Sequence, residues 1–274
     1  MFERRRPVVL ASFVIAALLL AACGGSSNSN PTTTASANGK PAGAITVFAA
    51  ASLTAAFETL GTDYMAAHPG TTVGFNFAGS NTLAQQITQG APVDVFASAD
   101  EENMKAAADE MNASQTFVKN ELIVILPAKN PGNIKTLHDL GNQGVTIAVA
   151  DPSVPVGNYT LEVLDKMGKS SEYGPDYEMA VKANFVTHET SVSGVVTKVM
   201  LGEVDAGYVY VSDSVAEGNQ VKSIEIPKQY NIVAEYPIAT AKHSPNPATS
   251  KSFVQYVLSP KGQETLEKYG FLPA

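Results

Sequence analysis

Two serines 28 positions apart stand in similar surroundings, Ser52 in Phe48-Ala-Ala-Ala-Ser52-Leu-Thr and Ser80 in Phe77-Ala-Gly-Ser80-Asn-Thr-Leu. In each case an apolar, strand-like run meets small residues and a serine, and a segment of helical period follows. A hydroxyl at such a place lies beside the free N–H groups of a helix's first turn, where partial positive charge gathers without any cation. Two such helix starts aimed at one point make an anion site. The plainer reading is that each serine is only an N-cap, satisfying one backbone donor.

Two later junctions carry the same chemistry. Asp151-Pro-Ser-Val-Pro155-Val156-Gly157 follows a strand expected at 145–150, and Glu189-Thr-Ser191-Val192-Ser193-Gly194 follows one near 183–186. Gly157 and Gly194 allow close approach of a backbone to a ligand or to the sheet, or they are ordinary loop punctuation. No junction holds a lysine or arginine. Asp94 and Asp213 either orient a cleft or cap a turn. His68, His138, His188 and His243 are scattered, without a second His or Cys at metal-ligand spacing. A serine hydrolase built from Ser52 or Ser80 with His188 and Asp213 rests on residue types alone, since the chain has no Gly-x-Ser-x-Gly elbow.

The elements that would position these junctions alternate between strand and helix. Strands are expected at 45–51, 71–78, 93–97, 121–127, 145–150, 183–186, 206–211, 221–226 and 231–239. Helices are expected at 52–68, 82–89, 99–111, 134–140, 157–167, 192–200, 247–258 and 260–268, the last with Ser259 as N-cap and Pro260 at its first position. Alternation without a fixed 20–50-residue repeat implies an α/β fold with mainly parallel sheets. The long apolar runs near 121–127 and 231–239 are placed to carry the chain to a second lobe and back. The lobes are then 44–122 with 235–274, and 123–234. Ligands of open α/β sheets sit at the carboxyl ends of strands, where all four junctions lie.

The amino terminus is of another kind. Arg4, Arg5 and Arg6 precede the apolar run from Val8 to Ala22, which reads as a targeting segment over 1–22. Leu20-Ala21-Ala22-Cys23-Gly24 is similar to a bacterial lipobox, in which Cys23 is lipidated. Cys23 is the only cysteine, so no intrachain disulfide forms. Residues 23–43, rich in Gly, Ser, Asn, Thr, Pro and Ala, read as a flexible tether. Without the leader's one acidic and three arginine side chains, 25 acidic residues face 15 basic ones, a net charge of -10 against -8 for the whole chain. So acidic a surface argues against nucleic acid or anionic lipid as a partner.

The segments around Ser52, Ser80, Gly90-Ala-Pro-Val-Asp94-Val-Phe-Ala-Ser-Ala-Asp100, Gly207-Tyr-Val-Tyr210-Val-Ser-Asp213 and Tyr269-Gly270-Phe271 together resemble the molybdate-binding proteins, extracytoplasmic receptors of molybdate ABC importers. The likeness spans nearly all of 44–274. It implies a two-lobed type II periplasmic-binding-protein fold, each lobe a mainly parallel sheet flanked by helices, with the ligand in the cleft between lobes. It implies an oxyanion, molybdate and tungstate, held by the hydroxyls of Ser52, Ser80 and Tyr210 and by backbone N–H groups at Val156 and Val192. No side chain ligates the metal, no cofactor is needed, and the chain is not an enzyme. The partners implied are the ion and a membrane permease, with a monomeric receptor lipid-anchored at Cys23 outside the cell membrane. Sulfate or another tetrahedral oxyanion is the alternative ligand. This chain departs from the family at Val156, where alanine is common, and over 170–183, which is longer than in compact members.

Overall fold

The computed structural model describes residues 41–274; the targeting segment, Cys23 and most of the tether lie outside the described residues. The first strand, β1 (Gly43–Ala50), enters a 3-10 turn at 51–53 and then α1 (Thr54–Ala67). β2 (Thr71–Ala78) leads into α2 (Ser80–Thr88), and β3 (Val95–Ala97) into α3 (Glu101–Ala106). β4 (Gln115–Pro127) is followed by a 3-10 turn at 137–141, β5 (Ile147–Ala150), α4 (Pro155–Gly168) and α5 (Gly174–Ala183). Then come β6 (Phe185–Glu189), α6 (Val192–Met200), β7 (Ala206–Tyr210), α7 (Val211–Glu217) and β8 (Val221–Glu225). β9 (Val233–Thr240), α8 (Pro247–Val257), α9 (Pro260–Lys268) and β10 (Leu272–Pro273) close the chain.

The strands run in the order β2-β1-β3-β9-β4-β7-β5-β6, with β8 and β10 also pairing β4. At one end β1 pairs β2 and β3 in parallel, and at the other β5 pairs β6 and β7 in parallel. Between these parallel sets lie the two crossing strands, joined antiparallel to each other and to their neighbours. β4 changes partners midway: Gln115 to Glu121 pair β9, whereas Leu122 to Pro127 pair β7 and β8. The exchange is clasped by Asn231, whose side chain accepts from the Leu122 N–H at 3.1 Å and donates to the Leu122 carbonyl at 2.9 Å. A single side-chain amide thus satisfies both backbone groups of the residue where the ladder changes hands.

Local signals explain several helix ends. Asp100, Ser191 and Ser259 cap α3, α6 and α9 by accepting from the N–H three residues on, and proline occupies the first turn of α4, α5, α8 and α9. Phe57 of α1 packs edge-on against Phe75, Phe117 and Phe253, joining α1 and α8 to the sheet.

Several segments differ from expectation: the helix expected at 134–140 is a 3-10 turn at 137–141, α7 was not expected, and three further stretches change. The acidic-started helix ends at Ala106 rather than Met111, because Met111 turns inward, buried, to bridge Ala241. The stretch 170–183 contains α5, which buries Tyr177 and Val181 and donates from the Tyr177 hydroxyl to the Leu137 carbonyl at 2.7 Å. The strand expected at 121–127 begins at Gln115, its first half hidden in the sequence by Gln115, Thr116, Lys119 and Asn120.

Candidate functional site

β1, β2, β5, β6 and β7 each end at a residue followed within five positions by a helical turn. Parallel pairing within each set brings these carboxyl ends to one side of the sheet. There Ser52, Ser80, Val156, Val192 and Tyr210 line one small cavity with no charged residue in its wall. A space this narrow suits a compact ion rather than an organic ligand.

The two serines are placed by tertiary partners and cap nothing. Ser52 lies in the 3-10 turn between β1 and α1, 8 % exposed, with its Oγ 2.9 Å from the Tyr236 hydroxyl. Ser80 is the first residue of α2, and its Oγ accepts the Ala99 N–H at 3.0 Å. The N-cap positions of α1 and α2 fall on Leu53 and Gly79, and neither makes a side-chain cap bond. The plain N-cap reading is therefore corrected: each oxygen is held by a group distant in the chain or beyond the next strand, Tyr236 of β9 for Ser52 and Ala99 just after β3 for Ser80. Because the Ser80 oxygen accepts from Ala99, its own O–H is left to donate elsewhere.

Tyr210 supplies the third hydroxyl. It is 1 % exposed, and its phenol oxygen has no hydrogen-bond partner in the protein. A buried hydroxyl left unpaired is costly, so an orphan at a cavity wall marks a place that a ligand completes. Burial pushes the Tyr210 phenol well above its ordinary pKa, so it stays a neutral donor.

Val156 and Val192 contribute backbone. Val156 is the second residue of α4 after Pro155, and Val192 the first of α6, so both N–H groups belong to helix first turns without an intrahelical acceptor. Gly157 lets α4 start this close to β5: a Cβ there would lie 2.2 Å from the Asp151 carbonyl oxygen and 2.5 Å from that of Ala150. At Gly194 the nearest atom a Cβ would meet is the Glu189 Cβ, at 2.9 Å.

The corner between β2 and α2 touches both loops of the opposite half. Asn81 Nδ2 donates to Ser153 Oγ at 3.0 Å, Ser153 Oγ donates to Asp151 at 2.7 Å, and a Cβ on Gly79 would fall 2.5 Å from the Thr190 carbonyl oxygen. The cavity is therefore bordered from both sides.

Around it stand residues that sequence reasoning missed or left open. Asp213, in the first turn of α7, accepts the Tyr210 N–H at 2.9 Å, and burial raises its carboxyl to about 7. Asp94 sits at the other end of its strand, binding the Thr46 N–H at 2.7 Å and Ser244 Oγ. Tyr236 had no local signal, since it is one aromatic within an apolar run. Among the described residues no group of three His, Cys, Asp or Glu could hold a metal, neither serine bonds a histidine, and no helix is long and apolar enough to cross a membrane. His68 and His138 stack on Tyr64 and Tyr173.

Comparison with known proteins follows the same lines. Residues 45–272 match the family described as bacterial extracellular solute-binding protein. The molybdate-binding protein ModA of Mycobacterium tuberculosis is 38% identical over 230 residues, 83% of this chain and 84% of that one. ModA of Escherichia coli is 35% identical over 239 residues, 84% and 89% of the two chains. The solved periplasmic molybdate-binding protein of Azotobacter vinelandii superposes with a TM-score of 0.72 at 21% identity, over 84% of this chain and 99% of that one, a likeness of fold. These are binding proteins and not enzymes, and the architecture is the two-lobed α/β fold that the sequence implied. The chain belongs to the family of bacterial extracellular solute-binding proteins, among the relatives of ModA.

Proposed function

We propose that this chain is the receptor of an ABC importer and that its ligand is molybdate, with tungstate as an equivalent. The observation that carries the reading is the Tyr210 hydroxyl, buried and unpartnered at the wall of a small uncharged cavity that Ser52, Ser80, Val156 and Val192 also line. A tetrahedral dianion there accepts charge-assisted hydrogen bonds from three hydroxyls and from backbone N–H groups. Each contributes about 1.5–3 kcal/mol, together enough to offset desolvation. A wall of donors offers nothing to an anion's own proton, so hydrogen phosphate is disfavoured and a fully ionised oxyanion preferred.

The division proposed is one lobe of 44–122 and 235–274 and a second of 123–234, meeting at the cavity, with β4 and β9 as the crossing strands. Release then requires the lobes to part and binding draws them together. The names and family description of the relatives support an extracytoplasmic site of action. The sequence around Cys23 supports tethering by lipid. The receptor so proposed is a monomer presented to a membrane permease.

Thermal unfolding of the chain from residue 44, with molybdate, tungstate, sulfate or phosphate added, tests the reading. Ligand binding to the native state alone raises the midpoint. Molybdate and tungstate are expected to raise it at concentrations where phosphate does not. A shift with sulfate alone replaces the ligand, and no shift with any oxyanion rejects the receptor.

A further inference from the structure

Ser52 is held at one end by a residue of β9 and at the other by Ser212 of α7, which is itself held from β4. Its Oγ lies 2.9 Å from the hydroxyl of Tyr236 on β9, and both groups are buried. Its carbonyl accepts from Ser212 Oγ at 3.4 Å, at the start of α7. Ser212 Oγ in turn accepts from Asn120 Nδ2, on β4, at 2.8 Å. The Asn120 amide is oriented by the Glu121 N–H, which its Oδ1 accepts at 3.0 Å. Asn120 and Tyr236 are fully buried and Ser212 nearly so. None of them lines the cavity.

The protons of this network have a direction. Asn120 Nδ2 can only donate, so Ser212 Oγ accepts and sends its single proton to the Ser52 carbonyl. A hydroxyl has one proton, so Ser52 can give it either to Tyr236 or to a ligand. If Ser52 donated to Tyr236, its lone pairs would face an anion and repel it. If Tyr236 donates to Ser52, the Ser52 proton is free for the cavity, and the phenol polarises that hydroxyl in the sense that strengthens its donation. Burial pushes the Tyr236 phenol well above its ordinary pKa, so it keeps its proton to donate.

We infer that Tyr236 is a positioning residue for the oxyanion: its hydroxyl donates to Ser52 Oγ and so commits the Ser52 proton to the ligand, while Asn120 and Ser212 hold the Ser52 backbone against the crossing strands. The inference rests on the proposed oxyanion site. It goes beyond that site by tying one ligand contact to β4 and β9, the strands that join the two halves.

A double-mutant cycle for molybdate binding, measured by titration calorimetry, tests it with the wild type, Tyr236→Phe, Ser52→Ala and the double variant. Phenylalanine keeps the ring, and urea unfolding of each ligand-free protein separates folding from binding. Tyr236→Phe is expected to weaken binding roughly fivefold when Ser52 is present and by a smaller factor when Ser52 is Ala, since the route through Ser52 has gone and only the edge-on packing of the ring against Tyr210 remains. Equal losses in both backgrounds overturn the inference. A wild type that binds no oxyanion rejects the receptor reading instead. A second readout does not require Tyr236→Phe to fold: in protein carrying ¹³C at tyrosine Cζ, the Tyr236 resonance moves when molybdate saturates the wild type and stays in saturated Ser52→Ala. A resonance that is still in the wild type, or moves equally in both, overturns the assignment of Tyr236.

Discussion

The junctions after β1 and β2 and those after β5 and β6 offer donors to the same cavity by opposite means. At Ser52 and Ser80 the donor is a side chain, and its direction is set by distant partners, Tyr236 and Ala99. At Val156 and Val192 the donor is main chain, and its direction is set locally by Pro155 with Gly157 and by the Ser191 cap with Gly194. A side-chain donor is removed by deleting one oxygen. A backbone donor survives every side-chain change that leaves the helix start in place, so only a steric change nearby moves it. The two halves therefore fail differently, and substitutions separate them.

The largest effect on binding is expected where the backbone cannot yield. Gly157→Ala sets a methyl group 2.2 Å from the Asp151 carbonyl, so α4 must shift, and Val156 with it. Such overpacking costs about 1–3 kcal/mol of stability. Calorimetry is expected to find molybdate binding lost, whereas Gly194→Ala, whose nearest contact is the Glu189 Cβ at 2.9 Å rather than backbone at 2.2 Å, is expected to weaken binding less. Equal behaviour of the two glycine variants would break the distinction between the junctions.

Next come the hydroxyls. Ser52→Ala, Ser80→Ala and Tyr210→Phe each are expected to lower affinity by about 1.5–3 kcal/mol, or roughly ten- to a hundredfold. Their effects on the ligand-free protein sharpen the comparison. Ser52→Ala and Ser80→Ala strand the Tyr236 hydroxyl and the Ala99 N–H and lower the urea midpoint. Tyr210→Phe removes an oxygen that has no partner, so it leaves the midpoint unchanged or raises it. A Tyr210→Phe protein as destabilised as the serine variants would show that the hydroxyl is satisfied without ligand.

The smallest effect on binding is expected from Asp213→Asn, and its signature lies in pH. The Asp213 carboxyl is raised by burial from 3.8 to about 7, so the native state holds its proton more tightly than the unfolded chain does. Its contribution to stability is therefore fully present below pH 4 and is lost as pH rises toward 7. Asparagine can still accept the Tyr210 N–H and carries no charge. In urea unfolding between pH 4.5 and 7.5 the wild type is expected to lose stability relative to the variant as pH increases. Parallel profiles would show that Asp213 is charged at little cost in the native state.

Legibility from sequence followed the range of the cause. β2 at 71–78, α6 at 192–200 and α9 at 260–268 have the bounds expected, since period and neighbouring caps or prolines specify each within a few residues. α7 was missed because it follows β7 without a loop, and its start is marked only by Asp213 reaching back to Tyr210. The first half of β4 was missed because its polar residues have partners elsewhere: Asn120 bonds Ser212, 92 positions away. The five donors were named from junction chemistry and family resemblance, and the fold brings them to one cavity. Which atom of each serine faces what was not readable.

The sequence by itself determined the alternation of strand and helix, the small residues at the ends of β1, β2 and β5, and a chain whose described part carries no arginine. Those features act over a turn or a strand, where the next few residues fix the backbone. Only the tertiary structure decided that the Ser52 and Ser80 oxygens are bonded to Tyr236 and Ala99 and cap no helix. A buried hydroxyl bonds whichever partner the fold brings within reach, and for Ser52 that partner lies 184 positions along the chain, on β9.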